Sequence, residues 1–460
     1  MYKQLLSGNE AVALAALDAG VALGTGYPGT PSTEILEGFF RLGGKAQWAP
    51  NEKVALEVAL GAAFASARAL VTMKHVGLNV AADVLFTAAY SGVPGALIVV
   101  SADDPGMASS QNEQDNRRYA VAAGVPMLEP ADSQQAYDFF FTAVEISERW
   151  HIPVLFRMTT RVCHSKTVVT RRSAPLPAPK PFYERDPKGR VMIPAHARPA
   201  HRRLRQKLSE IAAWGETAPV HSRLEGAGGL GIITSGITVM HAREAAPEAD
   251  IFQIGLTYPL PLNRLAAFVS QHERTVVLEE GDPYLVDALR AEGLTVEGKT
   301  EAFRFGELDV ERVRRILAHD TSPEPKPLPG KPPQLCVGCP HRKSFEILSR
   351  LNCIVAGDIG CYSLGVLPPF EAMDAMVCMG ASIGVAHGAA VAGDPERHIA
   401  ILGDSTFFHT GIPALINVVY NRSNVITIIT DNRVTGMTGH QPNPGTGKTL
   451  QMKDTVEIDL

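Results

Sequence analysis

Short apolar runs rich in β-branched residues alternate along the chain with runs of helical periodicity. The first kind of run predicts buried strands, and apolar positions three and four residues apart predict helices. In the first third of the chain the pattern predicts strands at 21–25, 69–73, 96–101 and 153–158, and helices at 11–19, 33–40, 53–69 and 134–150. Strands that alternate with helices in this way predict a doubly wound parallel sheet.

The same alternation continues after two Pro-rich segments. It predicts strands at 228–235, 251–255, 275–279, 398–402 and 425–430, and helices at 192–215 and 412–420. Proline-rich stretches between periodic regions are typical of linkers or extended straps. We therefore predict an α/β protein of three doubly wound domains, divided as a first domain (1–173), a Pro-rich linker and helix (174–226), a middle domain (227–320), a second linker (321–334) and a last domain (335–460).

Composition and charge restrict the class of protein. The 460 residues are 45% hydrophobic and 20% charged, as in ordinary globular proteins. A net charge of −5 without a long basic run argues against a nucleic-acid partner. No stretch reaches the roughly 18 apolar residues of a membrane span, and the N-terminal apolar run is too short for a signal peptide. We expect a cytoplasmic protein, without a membrane partner, whose cysteines are reduced, metal-bound or catalytic.

Two polar residues follow the last two predicted strands. Asp404 comes directly after the strand at 398–402 and Gly403, and Asn432 comes just after the strand at 425–430. Because the carboxyl ends of neighbouring parallel strands meet at one edge of a sheet, both side chains are expected at the same ligand-binding edge. A carboxylate and an amide oxygen suit Mg²⁺, which keeps phosphate oxygens in its shell. The pattern predicts a site for Mg²⁺ and a diphosphate.

The loop after Asn432 offers further groups for the diphosphate. Val434 supplies a backbone carbonyl as the third metal ligand, and the loop adds backbone N–H groups and hydroxyls. Glycine at 403 lets the backbone approach a ligand closely. The predicted cofactor-binding residues here are Gly403, Asp404, Ser405, Asn432, Thr435, Gly436, Met437 and Thr438. The alternative is a simple strand–turn–helix in which Asp404 only caps the helix.

These residues resemble the thiamine diphosphate motif of the 2-oxoacid:ferredoxin oxidoreductases. They are Gly-Asp-Ser at 403–405, Asp-Asn at 431–432 and Thr-Gly-Met-Thr-Gly-His-Gln at 435–441. Within that family the whole chain is similar to the alpha subunits that act on indolepyruvate. The resemblance implies thiamine diphosphate and Mg²⁺ as cofactors, and it adds Gly360 and Cys361 to the cofactor-binding residues. It identifies the first domain as pyrimidine-binding, the middle one as transketolase C-terminal-like, and the last as diphosphate-binding.

Glu52 is the predicted catalytic carboxylate. Thiamine chemistry needs a carboxyl group beside the aminopyrimidine ring, in a largely apolar pocket, so that the cofactor removes its own C2 proton. Glu52 stands at a predicted helix start, followed by recurring Ala and Gly, in the context where the family places its catalytic Glu. Glu57 is a weaker candidate. The alternative is a first-turn Glu that is favoured only by the helix dipole.

A rigid loop at 24–33 joins a predicted strand to a helix. Its three glycines and two prolines place Thr30, Ser32 and Thr33 at a helix N-terminus, where anions bind. The loop resembles the family's Tyr-Pro-x-Thr-Pro-Ser segment, whose Thr contacts the substrate, and the resemblance therefore gives that role to Thr30. The alternative is a capping turn that binds no ligand.

A polar loop after the strand at 96–101 is expected to line the same cleft. The pyruvate branch of the family carries an Arg for the substrate carboxylate near this point, whereas Asp103 and Asp104 stand here. We expect Arg117 or Arg118 to bind the substrate carboxylate in place of that Arg. The departure argues against pyruvate and fits an arylpyruvate substrate.

The cysteines crowd into one late region. Cys336 and Cys339 form a Cys-x-x-Cys followed by His341, and Cys361 comes later. Three interpretations stay open: a Zn²⁺ site completed by His341 or Cys378, an iron–sulfur cluster, and a reduced turn over the cofactor. The resemblance places the clusters of this branch in a C-terminal ferredoxin-like domain. We therefore expect a piece of a longer protein, with [4Fe–4S] clusters in the full-length protein or complex.

The resemblance implies a specific reaction. It is the oxidative decarboxylation of an arylpyruvate such as indolepyruvate to an arylacetyl-CoA, with electrons passed to ferredoxin. The implied partners are a smaller beta subunit, ferredoxin, coenzyme A, the 2-oxoacid and a second copy of this chain. Two alternatives stay open: a thiamine-dependent 2-oxoacid decarboxylase without redox chemistry, and a non-catalytic scaffold subunit.

Overall fold

Strands and helices alternate through the first part of the chain, as the pattern predicts. The computed structural model describes residues 3–325, 330 and 333–460. The first strands are β1 (Lys3–Ser7), β2 (Leu23–Gly26), β3 (Ala46–Trp48), β4 (Ala69–Lys74), β5 (Leu97–Asp103), β6 (Met127–Leu128), β7 (Val154–Thr159) and β8 (Lys166–Thr170). The helices between them are α1 (Gly8–Asp18), α2 (Thr33–Arg41), α3 (Glu52–Phe64), α4 (His75–Ser91), α5 (Arg117–Ala123), α6 (Ser133–Trp150) and α7 (Thr160–His164).

A Pro-rich strap leads to the next group of elements. The backbone N–H of Leu176 donates to the Asp18 carbonyl and that of Phe182 to the Ala65 carbonyl, so the strap runs along α1 and the end of α3. The helices that follow are α8 (Pro187–Arg190), α9 (Pro194–Gly215), α10 (Thr238–Ala245), α11 (Leu262–Val269), α12 (Tyr284–Ala291) and α13 (Val310–Leu317). The strands are β9 (Ser222–Leu224), β10 (Leu230–Thr234), β11 (Asp250–Gln253), β12 (Leu256–Tyr258) and β13 (Arg274–Leu278).

Two larger sheets organise residues 3–323. The first has the order β12-β6-β7-β5-β4-β2-β3 and is parallel except for β12, which pairs antiparallel with β6. The second has the order β13-β10-β11-β9, with β9 antiparallel to β11. A ribbon of β1 and β8 is separate. Since β12 comes from the region assigned to the middle domain, the two regions share one sheet.

Helices cover both faces of the second sheet. Ile233 and Val277 lie in one core with residues of α11 and α12, whereas Ile232 and Val276 lie in the other with residues of α13. Alternate residues of a strand point to opposite faces, and here both sets are apolar because both faces are covered. This arrangement is the doubly wound layering predicted from the sequence.

The chain divides into two compact units, Met1–Pro323 and Glu324–Leu460. The second unit has a parallel sheet of order β14-β15-β16. Its strands are β14 (Ile354–Ala356), β15 (His398–Gly403) and β16 (Ile426–Thr430), and its helices are α14 (His341–Leu348), α15 (Ala381–Val391), α16 (Asp404–Thr406) and α17 (Ile412–Tyr420). Again Ile399 and Ala400 enter different cores, so this sheet also has two covered faces. The predicted α/β class is confirmed.

Some boundaries differ from the prediction. Helix α3 ends at Phe64 rather than at 69, because the chain turns through Ser66, with φ at +58°, before entering β4. Helix α4 was not predicted. Part of the predicted linker at 321–334, namely 326–329 and 331–332, lies outside the described residues, and the five-part domain division stays a prediction. None of the helices that the structure describes has the length and apolarity of a membrane span.

Candidate functional site

The ends of β15 and β16 lie side by side. Gly403 is in parallel register with Thr430, so Asp404 and Asp431 leave adjacent strand ends at one edge of the sheet. The Asp404 residue is 2% exposed, and its Oδ2 accepts a hydrogen bond from Asn443 Nδ2 at 2.7 Å. The sequence pattern did not single out Asn443, because this contact forms only when the loop beyond Asn432 folds back onto the strand end.

The charges at this edge favour a cation. Burial raises the pKa of the Asp404 carboxyl; hydrogen bonds from Asn443 and from backbone N–H groups oppose this, and the Asp431 carboxylate raises the pKa further. A divalent cation reverses that balance by stabilising the carboxylate. Asn432 lies on the exposed side, where its Oδ1 accepts the Val434 N–H at 3.3 Å. A carboxylate, an amide oxygen and a backbone carbonyl are ligand types that Mg²⁺ takes. Joint binding of the ion by Asp404, Asn432 and Val434 stays a prediction.

The loop after Asn432 is fixed by its own hydrogen bonds. Thr435 pairs with Gln441 across the loop, its N–H reaching the Gln441 carbonyl at 2.9 Å, and Thr438 Oγ1 bonds Gln441 Oε1 at 2.6 Å. Thr435 Oγ1 also lies 2.8 Å from Ser405 Oγ, which ties the loop to the end of β15. Met437 is 51% exposed. Hydrogen bonds within the loop and to Ser405 therefore fix the shape of the segment that carries the predicted diphosphate residues.

Tyr362 joins two glycine turns of the second unit. Its hydroxyl donates to the Ile359 carbonyl at 2.7 Å and lies 2.8 Å from Thr406 Oγ1. A Cβ added at Gly403 lies 2.6 Å from the Tyr362 ring, and one at Gly360 lies 2.4 Å from it. Any side chain at either glycine therefore displaces the ring. The two glycines leave room for the Tyr362 ring, whose hydroxyl connects the Gly360 turn to helix α16.

The Cys-x-x-Cys segment lies near the same turn. His341 packs its ring 6.3 Å from that of Tyr362, and burial lowers its pKa while the Asp404 charge opposes that effect. Burial raises the pKa of the Cys361 thiol, and the nearby Cys336 and Cys339 raise it further. Cys361 Sγ is 3.4 Å from the Cβ position of Gly436. These groups therefore border the predicted diphosphate loop.

The cysteines do not assemble into a metal site in this structure. Within 3–325, 330 and 333–460, no group of three or more His, Cys, Asp and Glu side chains is placed to hold a metal ion. All six cysteines are free thiols, and Cys336 and Cys378 are exposed. Ligation of Zn²⁺ or an iron–sulfur cluster by Cys336, Cys339 and Cys361 stays a prediction.

Glu52 begins helix α3 and is buried. Asn51 caps the helix by accepting the Val54 N–H at 2.9 Å, which sets the direction of the first turn. The Glu52 residue is 5% exposed, and its Oε1 lies 2.5 Å from the Cβ position of Gly77 in the first turn of α4. Only a glycine there leaves room for the carboxyl. Glu57, by contrast, points to the surface and pairs with Lys53.

The Thr30 loop is held by short contacts within the first unit. Ser32 Oγ donates to the Gly29 carbonyl at 2.9 Å, and the Gly29 N–H donates to Thr33 Oγ1 at 3.0 Å. Asn9 Nδ2 donates to the Pro31 carbonyl at 2.7 Å. These bonds use the two flanking hydroxyls, whereas Thr30 is half-buried. The loop therefore fixes the position of Thr30 while the other hydroxyls serve the turn itself.

The surroundings of Arg117 contradict the role expected of it, whereas the same role for Arg118 stays a prediction. Arg117 is 1% exposed, pairs with Asp115, and lies 2.7 Å from Glu279 Oε2, so its guanidinium is committed to a structural cluster. The expectation that it binds a substrate carboxylate is wrong. Arg118 is exposed, and its guanidinium lies 3.4 Å from the Asp287 carboxylate on the surface.

Comparison with known proteins agrees with this geometry. Residues 14–204 match the family described as pyruvate flavodoxin/ferredoxin oxidoreductase, thiamine diP-bdg, and residues 358–459 match thiamine pyrophosphate enzyme, C-terminal TPP binding domain. The solved 2-oxoglutarate:ferredoxin oxidoreductase from Magnetococcus marinus superposes with a TM-score of 0.59 at 19% identity, covering 70% of this chain and 65% of that one. This likeness supports the α/β fold.

Curated relatives extend the match over nearly the whole chain. Indolepyruvate oxidoreductase subunit IorA of Archaeoglobus fulgidus is 41% identical, over 97% of this chain and 77% of the relative. The protein of the same name from Pyrococcus horikoshii is 39% identical, again over 97% of this chain and 77% of the relative. The chain therefore belongs to the indolepyruvate oxidoreductase subunit IorA family, within the thiamine diphosphate-dependent 2-oxoacid:ferredoxin oxidoreductases.

Proposed function

We propose that this chain, together with a smaller beta subunit, catalyses the oxidative decarboxylation of arylpyruvates. The substrate is indolepyruvate or a close analogue, the product is the arylacetyl-CoA, and ferredoxin accepts the electrons. The observation that carries the proposal is the sheet edge where Asp404 is buried against Asn443 beside the preorganised Thr435 loop. The names of the relatives in this family supply the reaction class.

The second unit supplies the grip on the cofactor. Asp404, Asn432 and the Val434 carbonyl would hold Mg²⁺. The loop of Thr435, Gly436, Met437 and Thr438, with Ser405, would bind the diphosphate. The remaining cofactor-binding residues, which would lie beside the diphosphate, are Gly403, Gly360 and Cys361. The hydrogen bond between Ser405 and Thr435 supports this assignment, because it holds two predicted diphosphate ligands next to each other.

The first unit supplies the groups that act on the cofactor and substrate. Thiamine diphosphate, when bound, would supply a nucleophilic carbon for the keto group of the substrate. Glu52 exchanges a proton with the aminopyrimidine ring, and its buried position against Gly77 keeps water away from that exchange. Thr30 binds the substrate by its hydroxyl, at a loop whose shape the neighbouring hydrogen bonds fix. Two copies of the chain complete the sites.

The electron path lies in the assembled complex. We assign the one-electron steps to [4Fe–4S] clusters of the complex, with Cys336, Cys339 and Cys361 as candidate ligands of a cluster or Zn²⁺. The electrostatic influence of the first two thiols on Cys361 supports their grouping. The compartment is the cytoplasm, as the cysteine content of the sequence predicts.

Product analysis of the reconstituted complex tests the proposal. The complex is incubated with indolepyruvate, coenzyme A, thiamine diphosphate, Mg²⁺ and ferredoxin. We expect indoleacetyl-CoA and reduced ferredoxin, with neither formed when coenzyme A is omitted. Release of indoleacetaldehyde without ferredoxin reduction indicates the non-redox decarboxylase. A complex that binds no thiamine diphosphate indicates a scaffold subunit and contradicts the proposal.

A further inference from the structure

Lys74 stands at the ligand edge of the first sheet. It ends β4, which lies between β2 and β5, and these three strands run parallel. The Thr30 loop therefore leaves one neighbour of β4, and the polar loop that begins at Asp104 leaves the other. Side chains at the carboxyl ends of parallel strands form the usual ligand site of such a sheet. Lys74 thus lies between the two predicted substrate loops.

Both loops contact Lys74. A Cβ added at Gly29 lies 3.0 Å from the Lys74 Cβ, so the Thr30 loop passes directly beside the lysine stem. On the opposite side the Lys74 ammonium donates one hydrogen bond to the Ser109 carbonyl. The stem and the head of the side chain are thereby fixed between the loops. An ammonium has three N–H donors, and among the described residues this is its single hydrogen bond.

The positive charge of Lys74 lacks a dedicated counter-ion. The charge of Asp104 raises the pKa of Lys74, yet the Asp104 carboxylate accepts hydrogen bonds from the Ser109 N–H at 2.9 Å, from Thr160 Oγ1 at 2.9 Å and from Ser110. No carboxylate of the described residues forms an ion pair with Lys74. The lysine is half-buried, and burial lowers its pKa. A partly buried cation with spare donors is stabilised by an anionic ligand.

Helix α4 adds to the attraction for an anion. It runs for 17 residues from His75, and its N-cap, Lys74, makes no side-chain capping bond. The positive end of the helix dipole therefore points to the same edge. His75 is fully buried, its Nε2 bonds the Asn112 carbonyl at 3.1 Å, and its Nδ1 has no partner among the described residues.

We propose that Lys74 binds the carboxylate of the 2-oxoacid substrate beside Thr30. This inference rests on the proposed function. It gives Lys74 the role first expected of Arg117, whose guanidinium pairs with Asp115 and Glu279 in the buried cluster. An ammonium binds a carboxylate as a point charge rather than as a planar fork. The carboxylate end of the substrate is therefore held at the loops, and its aryl group extends away from them.

The test separates carboxylate binding from turnover. Indole-3-propionate is an unreactive carboxylate probe of similar length, and its Kd is measured by calorimetry on the complex loaded with thiamine diphosphate and Mg²⁺. We expect Lys74→Met to raise this Kd, and the KM for indolepyruvate, about 10- to 100-fold, the usual effect of losing a charge-assisted hydrogen bond. Lys74→Arg keeps the charge and retains most of the affinity. Lys45→Met, at an exposed lysine of the same unit, leaves both constants unchanged.

Several outcomes overturn the inference. The inference is wrong if Lys74→Met leaves Kd and KM unchanged. If the melting temperature falls while both constants stay unchanged, Lys74 only anchors the polar loop that contains Ser109. An equal loss in Lys74→Arg and Lys74→Met also excludes a charge-based role. A wild-type complex that binds the probe but oxidises no arylpyruvate contradicts the proposed function, while the comparison of probe affinities still decides the role of Lys74.

Discussion

Asp404 and Asp431 follow the ends of neighbouring strands but lie in different surroundings. Asp404 is buried, and one of its oxygens accepts from Asn443. Asp431 is exposed, accepts the Arg433 N–H at 2.9 Å, and has its other oxygen 3.7 Å from the Arg433 guanidinium. Its charge is thus partly offset within its own turn, since the Arg433 guanidinium also pairs with the Glu457 carboxylate. Of the two carboxylates, Asp404 is therefore the one suited to a metal ion.

This difference predicts unequal effects of neutralising the two residues. We expect Asp404→Asn to weaken Mg²⁺-dependent binding of thiamine diphosphate about 10- to 100-fold, because a charged metal ligand is lost. Asp431→Asn, the matched control, should change the Kd less than about threefold. The measurement is a thiamine diphosphate titration at fixed Mg²⁺ on the assembled complex. Equal losses in both variants contradict the assignment of Asp404 as the metal ligand.

Helices α3 and α4 meet where Glu52 faces Gly77. The carboxyl of Glu52 occupies the space in which any other residue at 77 has its Cβ, with Oε1 at 2.5 Å and Cδ at 2.8 Å from that position. The fit between the two helices therefore sets the position of the Glu52 carboxyl. By contrast, a Cβ at Gly61 on α3 meets nothing within 4 Å.

A methyl group at position 77 should displace the Glu52 carboxyl, for which we propose a catalytic role. We expect Gly77→Ala to lower kcat at least about tenfold, since proton transfer depends closely on geometry. The melting temperature should change little, because Ala is the better helix former by about 1 kcal/mol and the flexible end of Glu52 yields. Gly61→Ala makes the same change without a clash and should keep full activity. Retention of full activity by Gly77→Ala excludes the proposed position of the Glu52 carboxyl.

The elements that carry local patterns were predictable from the sequence. The strands before Asp404 and Asn432 have clear apolar runs, and their parallel pairing follows from the helix between them. Helix α4 was missed because it is apolar on most of its surface, so no helical periodicity stands out. The roles of Asn443, Tyr362 and Arg117 depend on residues distant in sequence. No local pattern records such contacts.

At the scale of the first unit, buried charges join the two larger sheets. Arg157, on β7, pairs with Glu129 and lies 2.7 Å from Asp103 Oδ2, while Arg117 reaches the carbonyl of Glu280 at 2.8 Å. These residues are all nearly inaccessible to solvent. Buried charges of this kind are costly to leave unpaired. The cluster therefore fixes the position of the second sheet relative to the first within this unit.

Titration of Glu280, next to this cluster, makes the stability of the folded unit depend on pH. Burial raises the pKa of Glu280 from 4.5 to about 7, with Arg157 opposing that shift and Glu307 adding to it. Below pH 4.5 the carboxyl is protonated in both the folded and the unfolded chain, so the stability that the raised pKa provides is fully present. As the pH rises from there through about 7, unfolding releases a proton and that stability is lost. Glu280→Gln removes the titration but keeps an oxygen for the Leu308 N–H.

We expect the melting temperature of wild-type protein to fall about 3 °C more than that of Glu280→Gln between pH 5.5 and pH 8, a change that corresponds to about 2 kcal/mol. Thermal unfolding followed at both pH values measures the difference. Glu292→Gln, at an exposed carboxyl of the same unit, should follow wild type. Parallel pH dependence of wild type and Glu280→Gln shows that Glu280 does not titrate in this range.

The action of Glu52 on thiamine diphosphate is the central step of the proposed function. The decisive measurement is the rate of indolepyruvate- and coenzyme A-dependent ferredoxin reduction by the Glu52→Gln complex, compared with Glu57→Gln on the surface of the same helix. We predict a loss of at least about 100-fold for Glu52→Gln, with thiamine diphosphate still bound, and full activity for Glu57→Gln. Full activity of Glu52→Gln with bound cofactor contradicts a catalytic role for Glu52 and, with it, the proposed function of the site.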